Sequence, residues 1–113
     1  MTTEGALVLE DLLAEAPIPA RGIHSQTVSD DGGVELVLFA FAPGERLSEH
    51  TSSRPAILHF LAGEAAVTVD DRSVIARSGT WIRMAAGTRH GVVAMDGVVM
   101  ALYLLPSREL RSS

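Results

Sequence analysis

Turn-forming residues interrupt this chain at short, regular intervals, and that spacing limits the folds it can adopt. Between the turns lie apolar runs such as VELVLFAFA and AILHFLAG, with almost no helix signal. Short strands without intervening helices favour a sandwich or barrel over an alternating α/β fold, and a double-sheet jelly roll is one such arrangement. The turn signals are residues 30–33 and the pairs Pro43-Gly44, Arg54-Pro55, Ala62-Gly63, Asp70-Asp71, Ser78-Gly79, Ala86-Gly87 and Asp96-Gly97.

Two stretches of the chain each join turn glycines to one histidine at fixed spacing. In the first stretch Gly44 is followed, after five residues, by His50, and then by Ser52, Ala56 and Gly63. A lone histidine in a strand is usually an ordinary core or surface residue. Its registration with the glycines, which serve turns, makes His50 a candidate site residue.

The second stretch repeats this organisation. Gly79 is followed after five residues by Ala85, and Gly87 after two residues by His90, with Ala94 further on. We expect His50 and His90 to lie close together inside the barrel, where neutral imidazoles can bind a first-row metal.

Both stretches resemble the motifs of the cupin superfamily over roughly residues 34–105, in LSEHTSSRPAILHFLAGEAAVTV and WIRMAAGTRHGVVAMDGVVMALYLL. They are similar to short single-domain cupins that carry His-Thr-x-x-Arg-Pro in place of His-x-His. The resemblance implies an all-β double-stranded β-helix, the jelly-roll or cupin barrel. It also implies a degenerate metal site, because Ser52 and Ala56 stand where metal-binding cupins carry a second histidine and a glutamate.

The expected domain organisation is a single cupin barrel over residues 21–113, preceded by a helical or extended cover over residues 1–20. Residues 7–16 can form one or two helical turns, with Leu9, Leu12 and Leu13 on one side, and Pro17 and Pro19 end that segment.

A divalent metal, either zinc, iron, manganese or nickel, is expected to be absent or weakly bound. Catalytic metal sites usually have three protein ligands, and only His50 and His90 are clear candidates here. Ser52 is a poor ligand, and Glu49 should point to the opposite face from His50. His24, on an early strand, is a third nitrogen that only the fold can place. No organic cofactor is indicated.

Strand alternation predicts which side chains line the pocket. Leu58 and Phe60 should share the inner face with Ala56, while His59 faces outward, unless a bulge after Pro55 reverses the register. The Trp81, Met84, Met95 and Met100 side chains line the cavity or form ordinary core. The expected pocket comprises His50, Ser52, Ala56, Leu58, Phe60, Trp81 and His90.

Arg54 has two interpretations. It either pairs with a substrate carboxylate at the pocket mouth or is a solvated turn arginine.

The composition limits the chemistry and the binding partners that this chain can have. The 113 residues include no cysteine, which excludes thiolate chemistry, disulfides and sulfur-ligated metal. Nine basic and fourteen acidic residues, without a basic run, argue against nucleic acid. No segment reads as a signal peptide or bilayer span, so we expect a cytoplasmic protein that does not bind membranes. Strands that are apolar on both faces suggest a homodimer.

Four functions are compatible with these residues. The first is binding of a small, largely apolar molecule in the barrel pocket. The alternative implied by the resemblance is a metal-dependent enzyme of oxygenase, isomerase or lyase type that uses His50 and His90 as ligands. Metal-free acid–base chemistry, with a histidine oriented by Ser52, and a dimerisation or regulatory module are the others.

Overall fold

A computed structural model describes residues 2–3 and 5–107, and almost all regular structure in that part of the chain is β. One helical element is present there, a 3-10 turn at Leu12–Glu15. The strands are β1 (Thr2–Thr3), β2 (Ala6–Leu7), β3 (Ile23–Asp31), β4 (Val34–Phe41), β5 (Arg46–His50), β6 (Ala56–Ala62), β7 (Ala65–Val69), β8 (Arg72–Ala76), β9 (Trp81–Met84), β10 (His90–Ala94) and β11 (Val98–Leu104).

Two antiparallel sheets face each other and form a jelly roll. One has four strands in the order β5-β10-β7-β8, and the other has five in the order β3-β4-β11-β6-β9. β1 and β2 form a separate two-stranded ribbon. The all-β fold predicted from the turn spacing and the jelly roll implied by the resemblance are both confirmed.

The space between the sheets is filled by side chains from alternate strand positions. On β6, Ala56, Leu58 and Phe60 are at most 2% exposed and belong to this core. Phe41 and Met100, from β4 and β11, are as deeply buried. Burial of so many apolar side chains is the main stabilising term of the barrel.

The outer face of the five-stranded sheet is also apolar, and the chain's own N-terminal segment covers it. Leu12 packs there against a buried cluster, which we call the outer cluster. Its members are Ala16, Leu36, Leu38, Ala40, Val99 and Ala101. The apolar outer positions of β4 therefore do not require a second subunit. The homodimer stays a prediction.

The N-terminal cover is less helical than the sequence indicates. Its one helical element among the described residues is the 3-10 turn, which follows Asp11, and the Asp11 carboxylate accepts a hydrogen bond from the backbone N–H of Ala14. Pro17 and Pro19 stop any longer helix, since proline cannot donate the hydrogen bonds that would extend it. No helix in the described ranges is long and apolar enough to span a bilayer.

The four turn glycines of the two histidine stretches all have positive φ. The angles are 84° at Gly44, 84° at Gly63, 95° at Gly79 and 84° at Gly87. Gly63 is also tightly enclosed, because a Cβ atom there would lie 2.0 Å from the carbonyl oxygen of Gly97. Both the backbone angle and the close approach require glycine at that turn.

Candidate functional site

His50 and His90 lie side by side on two neighbouring strands. They are directly paired across β5 and β10, and their ring centroids are 4.4 Å apart with the planes inclined at 55°. His90 is 6% exposed, whereas His50 is exposed to solvent. The structure thus brings together the two histidines that the spacing singled out.

A β-bulge in β5 turns His50 toward His90. Leu47 pairs with Val92 and His50 with His90, so Ser48 and Glu49 together face Gly91. This extra residue lets Leu47 and His50, three positions apart, lie on the same face. Sequence alternation alone did not predict the bulge. An isolated glycine within a strand is a known signal for one, and Gly91 of β10 lies directly opposite the bulged residues of β5.

Each imidazole is oriented by a backbone carbonyl two residues earlier. The Nδ1 atom of His50 lies 2.7 Å from the carbonyl oxygen of Ser48, and that of His90 lies 3.0 Å from the carbonyl oxygen of Thr88. A carbonyl oxygen can only accept, so in both rings Nδ1 carries the hydrogen. When the rings are neutral, each Nε2 therefore has a free lone pair for a ligand or a metal.

The other expected ligands do not complete a metal site. The Ser52 hydroxyl accepts a hydrogen bond from the backbone N–H of Arg54, and Ala56 offers no donor atom. Glu49 lies on the outer face, where it accepts from Thr68 at 3.2 Å. His24 pairs with Ala40, which belongs to the outer cluster. No group of three potential ligands occurs in the described residues, so two imidazoles do not fit a tightly held catalytic metal.

The predicted apolar pocket residues separate into two groups. Ala56, Leu58 and Phe60 face inward but are closely packed core rather than an open lining. Trp81 does not join them: its cross-strand partner is His59, so the two side chains share the outer face, and Trp81 is 56% exposed.

His59 itself points away from the barrel interior. Its cross-strand partner on β11 is Ala101, which belongs to the outer cluster. Among the methionines, Met84 and Met100 are core, whereas Met95 is 54% exposed.

Arg54 has a structural role that neither sequence interpretation anticipated. Its guanidinium donates to the Glu35 carboxylate at 3.1 Å and to the carbonyl oxygens of Gly33, Leu104 and Leu105 at 2.6, 3.2 and 3.0 Å. Four donor contacts leave little capacity for a substrate carboxylate. Arg54 instead fixes the loop after β5 to the ends of β4 and β11.

Two loops at one end of the barrel frame the histidine pair. Residues 51–55 follow His50 and residues 85–89 precede His90, and the backbone N–H of Gly87 donates to the carbonyl oxygen of Ser52 at 2.8 Å. We call this end of the barrel the mouth. A groove of about 590 Å³ lies beside it, lined by Ser53, Pro55, Arg83, Met84, Ala85, Ala86, Leu105 and Ser107.

Solved structures similar to this chain have the same fold. A conserved protein of unknown function from Streptococcus pyogenes is 27% identical, with a TM-score of 0.80, over 95% of this chain and 93% of that one. A cupin superfamily protein from Desulfitobacterium hafniense is 23% identical, with a TM-score of 0.80, over 88% and 94%. An RmlC-like cupin from Desulfovibrio desulfuricans is 21% identical, with a TM-score of 0.79, over 89% and 98%.

No curated protein matches the chain. The family model described as "Cupin domain" matches residues 37–105, which include both histidines and the strands from β5 to β11. Because that match covers more than half of the 113 residues and the fold agrees with it, the chain belongs to the cupin family.

Proposed function

We propose that this cupin binds a small molecule at the mouth of its barrel, where the Nε2 atoms of His50 and His90 hold a polar group of the ligand. The observation that carries the proposal is the pair of Nδ1 contacts to backbone carbonyls, which fix two rings 4.4 Å apart and leave the Nε2 atom of each available to a ligand. Small-molecule sites typically combine a mostly apolar lining with a few fixed polar groups of this kind.

The surroundings of the pair favour a ligand with an apolar body. His90 pairs with Val69 on β7, and Leu47, Val69 and Val92 belong to or pack against the apolar core. A hydroxyl or amide group on that body donates a hydrogen bond to a neutral Nε2 atom, and a carboxylate accepts one when the imidazole is protonated.

The imidazole ¹⁵N resonances of the four histidines test this proposal. The probes, added one at a time, are phenol, benzyl alcohol, benzamide and benzoate. We expect at least one of them to shift the Nε2 resonances of His50 and His90. His24 and His59 are internal references on the outer face, and His59→Ala is the matched control for His50→Ala. His50 is the better target because it is exposed, whereas removal of buried His90 also leaves a cavity.

Loss of the response in His50→Ala, with His59→Ala unchanged and both variants folded, supports the site. A response confined to His24 or His59, or none with any of the four compounds at millimolar concentration, overturns the proposal.

A metal-dependent enzyme is the second candidate. The feature in its favour is that metal-binding histidines usually donate their other ring N–H to a carbonyl or carboxylate, as both histidines do here. The absence of a third potential ligand beside them, in the part of the chain that the structure describes, opposes it. Adding Zn²⁺ to the same samples separates the candidates. Saturation of both Nε2 signals at micromolar Zn²⁺ favours the enzyme, and a response only at millimolar Zn²⁺ favours the binding protein.

A further inference from the structure

An arginine shares the inner face with the two histidines, two strands further across the same sheet. Cross-strand pairing runs from His50 to His90, from His90 to Val69, and from Val69 to Arg72. Directly paired residues in antiparallel strands have their side chains on the same face. These four residues therefore form a row across the mouth end of the four-stranded sheet, which we call the mouth row.

The mouth row has the dimensions of a small ligand. Strands in a sheet are about 4.8 Å apart, so the Cα atom of Arg72 lies roughly 10 Å from that of His90. Val69 occupies the interval with an apolar surface. A molecule that contacts the imidazoles at one end thus reaches the region of the Arg72 guanidinium at the other.

A groove opens beside Arg72, at the seam where the edge strands β8 and β9 of the two sheets meet. Its volume is about 390 Å³, within the usual range for small-molecule sites. Val69, Val74 and Ile82 line it and pack against the barrel core. The remaining lining is polar or aromatic and consists of Arg72, Thr80, Trp81 and Arg83.

The two groove arginines have no acidic partner among the residues that the structure describes. Neither Arg72 nor Arg83 forms an ion pair within residues 5–107, in contrast to Arg89. The nearest acidic residues in sequence, Asp70 and Asp71, are both engaged by Arg89. Asp70 accepts from its backbone N–H at 3.3 Å, and the carboxylate of Asp71 lies 3.6 Å from its guanidinium.

We propose that Arg72 binds the carboxylate of the ligand, whose apolar body lies along Val69, Val74 and Ile82 toward the histidine pair. The guanidinium presents a planar fork of donors that matches a carboxylate, and Arg83 adds positive charge from the opposite edge of the groove. In a chain of net charge −5, this local excess of positive charge attracts an anionic ligand to one place. The assignment rests on the proposed function and adds the ligand class, a small carboxylic acid whose apolar body joins the carboxylate to the polar group held by the histidines.

The single tryptophan of the chain, Trp81, lines the groove and is 56% exposed, so its fluorescence reports binding directly. We expect benzoate and hexanoate to change this fluorescence saturably, with at least about tenfold tighter binding than benzamide and hexanamide, since a charge-assisted hydrogen bond is stronger than a neutral one. The test variant is Arg72→Gln. Arg46→Gln is the matched control, because Arg46 is exposed, has no ion pair within residues 5–107 and lies on the outer face of the same sheet.

Arg72→Gln is expected to weaken benzoate binding about tenfold and to remove the preference for the acid, whereas Arg46→Gln leaves both unchanged. Equal binding of acid and amide, or equal effects of the two substitutions, overturns the carboxylate assignment. In either case, retained shifts of the His50 and His90 Nε2 signals leave the proposed function intact. If neither the acids nor the amides bind, the assignment fails, and the histidine resonances then decide the proposed function separately.

Discussion

Arg54 shows how one side chain can hold three parts of the fold together. Its Glu35 partner is on β4, and its carbonyl partners are at Gly33 and at the end of β11. The Arg54 side chain is 28% exposed and the Glu35 side chain 24%. A partly buried pair with several hydrogen bonds costs more to disrupt than a solvated ion pair, because its partners are left without donors.

We expect Arg54→Ala to lower the free energy of unfolding by roughly 2 to 3 kcal/mol, as the carboxylate and three carbonyl groups lose their donor. Arg54→Lys should recover little, since one ammonium group cannot replace a fork directed at four acceptors. Urea denaturation measures both. Arg46→Ala, which removes an exposed arginine, is the control, and an equal loss in Arg46→Ala and Arg54→Ala would contradict the role assigned to Arg54.

At the level of the strands, sequence reasoning succeeded where alternation decides the face. It placed Leu58 and Phe60 inside and His59 outside, because β6 alternates regularly from Ala56 to Phe60. It did not indicate that Trp81 lies on the outer face, because its four-residue strand is too short to show a period and takes its register from β6. The proximity of His50 and His90 could be predicted because their spacing from the turn glycines resembles the two cupin motifs.

Long-range pairing explains what the sequence could not indicate. The position of Arg72 in the mouth row depends on three successive pairings that join β5, β10, β7 and β8. The contacts of Arg54 join positions up to 51 residues apart. The pairing of Val69 with Arg72 is local, across the turn at Asp70-Asp71, but no local pattern encodes the other two pairings or the Arg54 contacts.

The turn between β6 and β7 provides a test of close packing between elements. Gly63 and Gly22 have nearly the same φ, 84° and 83°, but only Gly63 has a neighbour in the way, since nothing lies within 4 Å of a Cβ atom at Gly22. Gly22→Ala should cost about 1 kcal/mol for the left-handed backbone alone. Gly63→Ala should cost at least about 2 kcal/mol more, because the carbonyl of Gly97 must move.

Thermal or urea unfolding of the two alanine variants measures this difference, with the backbone strain common to both. If Gly22→Ala and Gly63→Ala are equally destabilised, the β6–β7 turn does not press against residues 96–97 as the structure indicates.

For the molecule as a whole, the N-terminal segment completes the barrel rather than merely preceding it. The five-stranded sheet has an apolar face on each side, and Ala16 is 4% exposed where it packs with the outer cluster. A side-chain amide hydrogen bond from Gln26 of β3 to the carbonyl of Glu15 further fixes the segment. A sheet that is apolar on both faces has to be covered on both, and here one chain supplies both covers.

Ala16→Asp tests this cover against a neighbouring position in the same segment. A carboxylate buried among Leu36, Leu38 and Ala40 has no partner there, so we expect a loss of roughly 2 to 4 kcal/mol in unfolding free energy. Ala14→Asp adds the same charge at an exposed position and should change stability by less than about 0.5 kcal/mol. Light scattering on both variants gives the mass in parallel. Similar stabilities of the two variants would mean that the N-terminal segment does not cover the sheet. The uncovered outer face would then be available to the second subunit that the two-sided apolar strands predict.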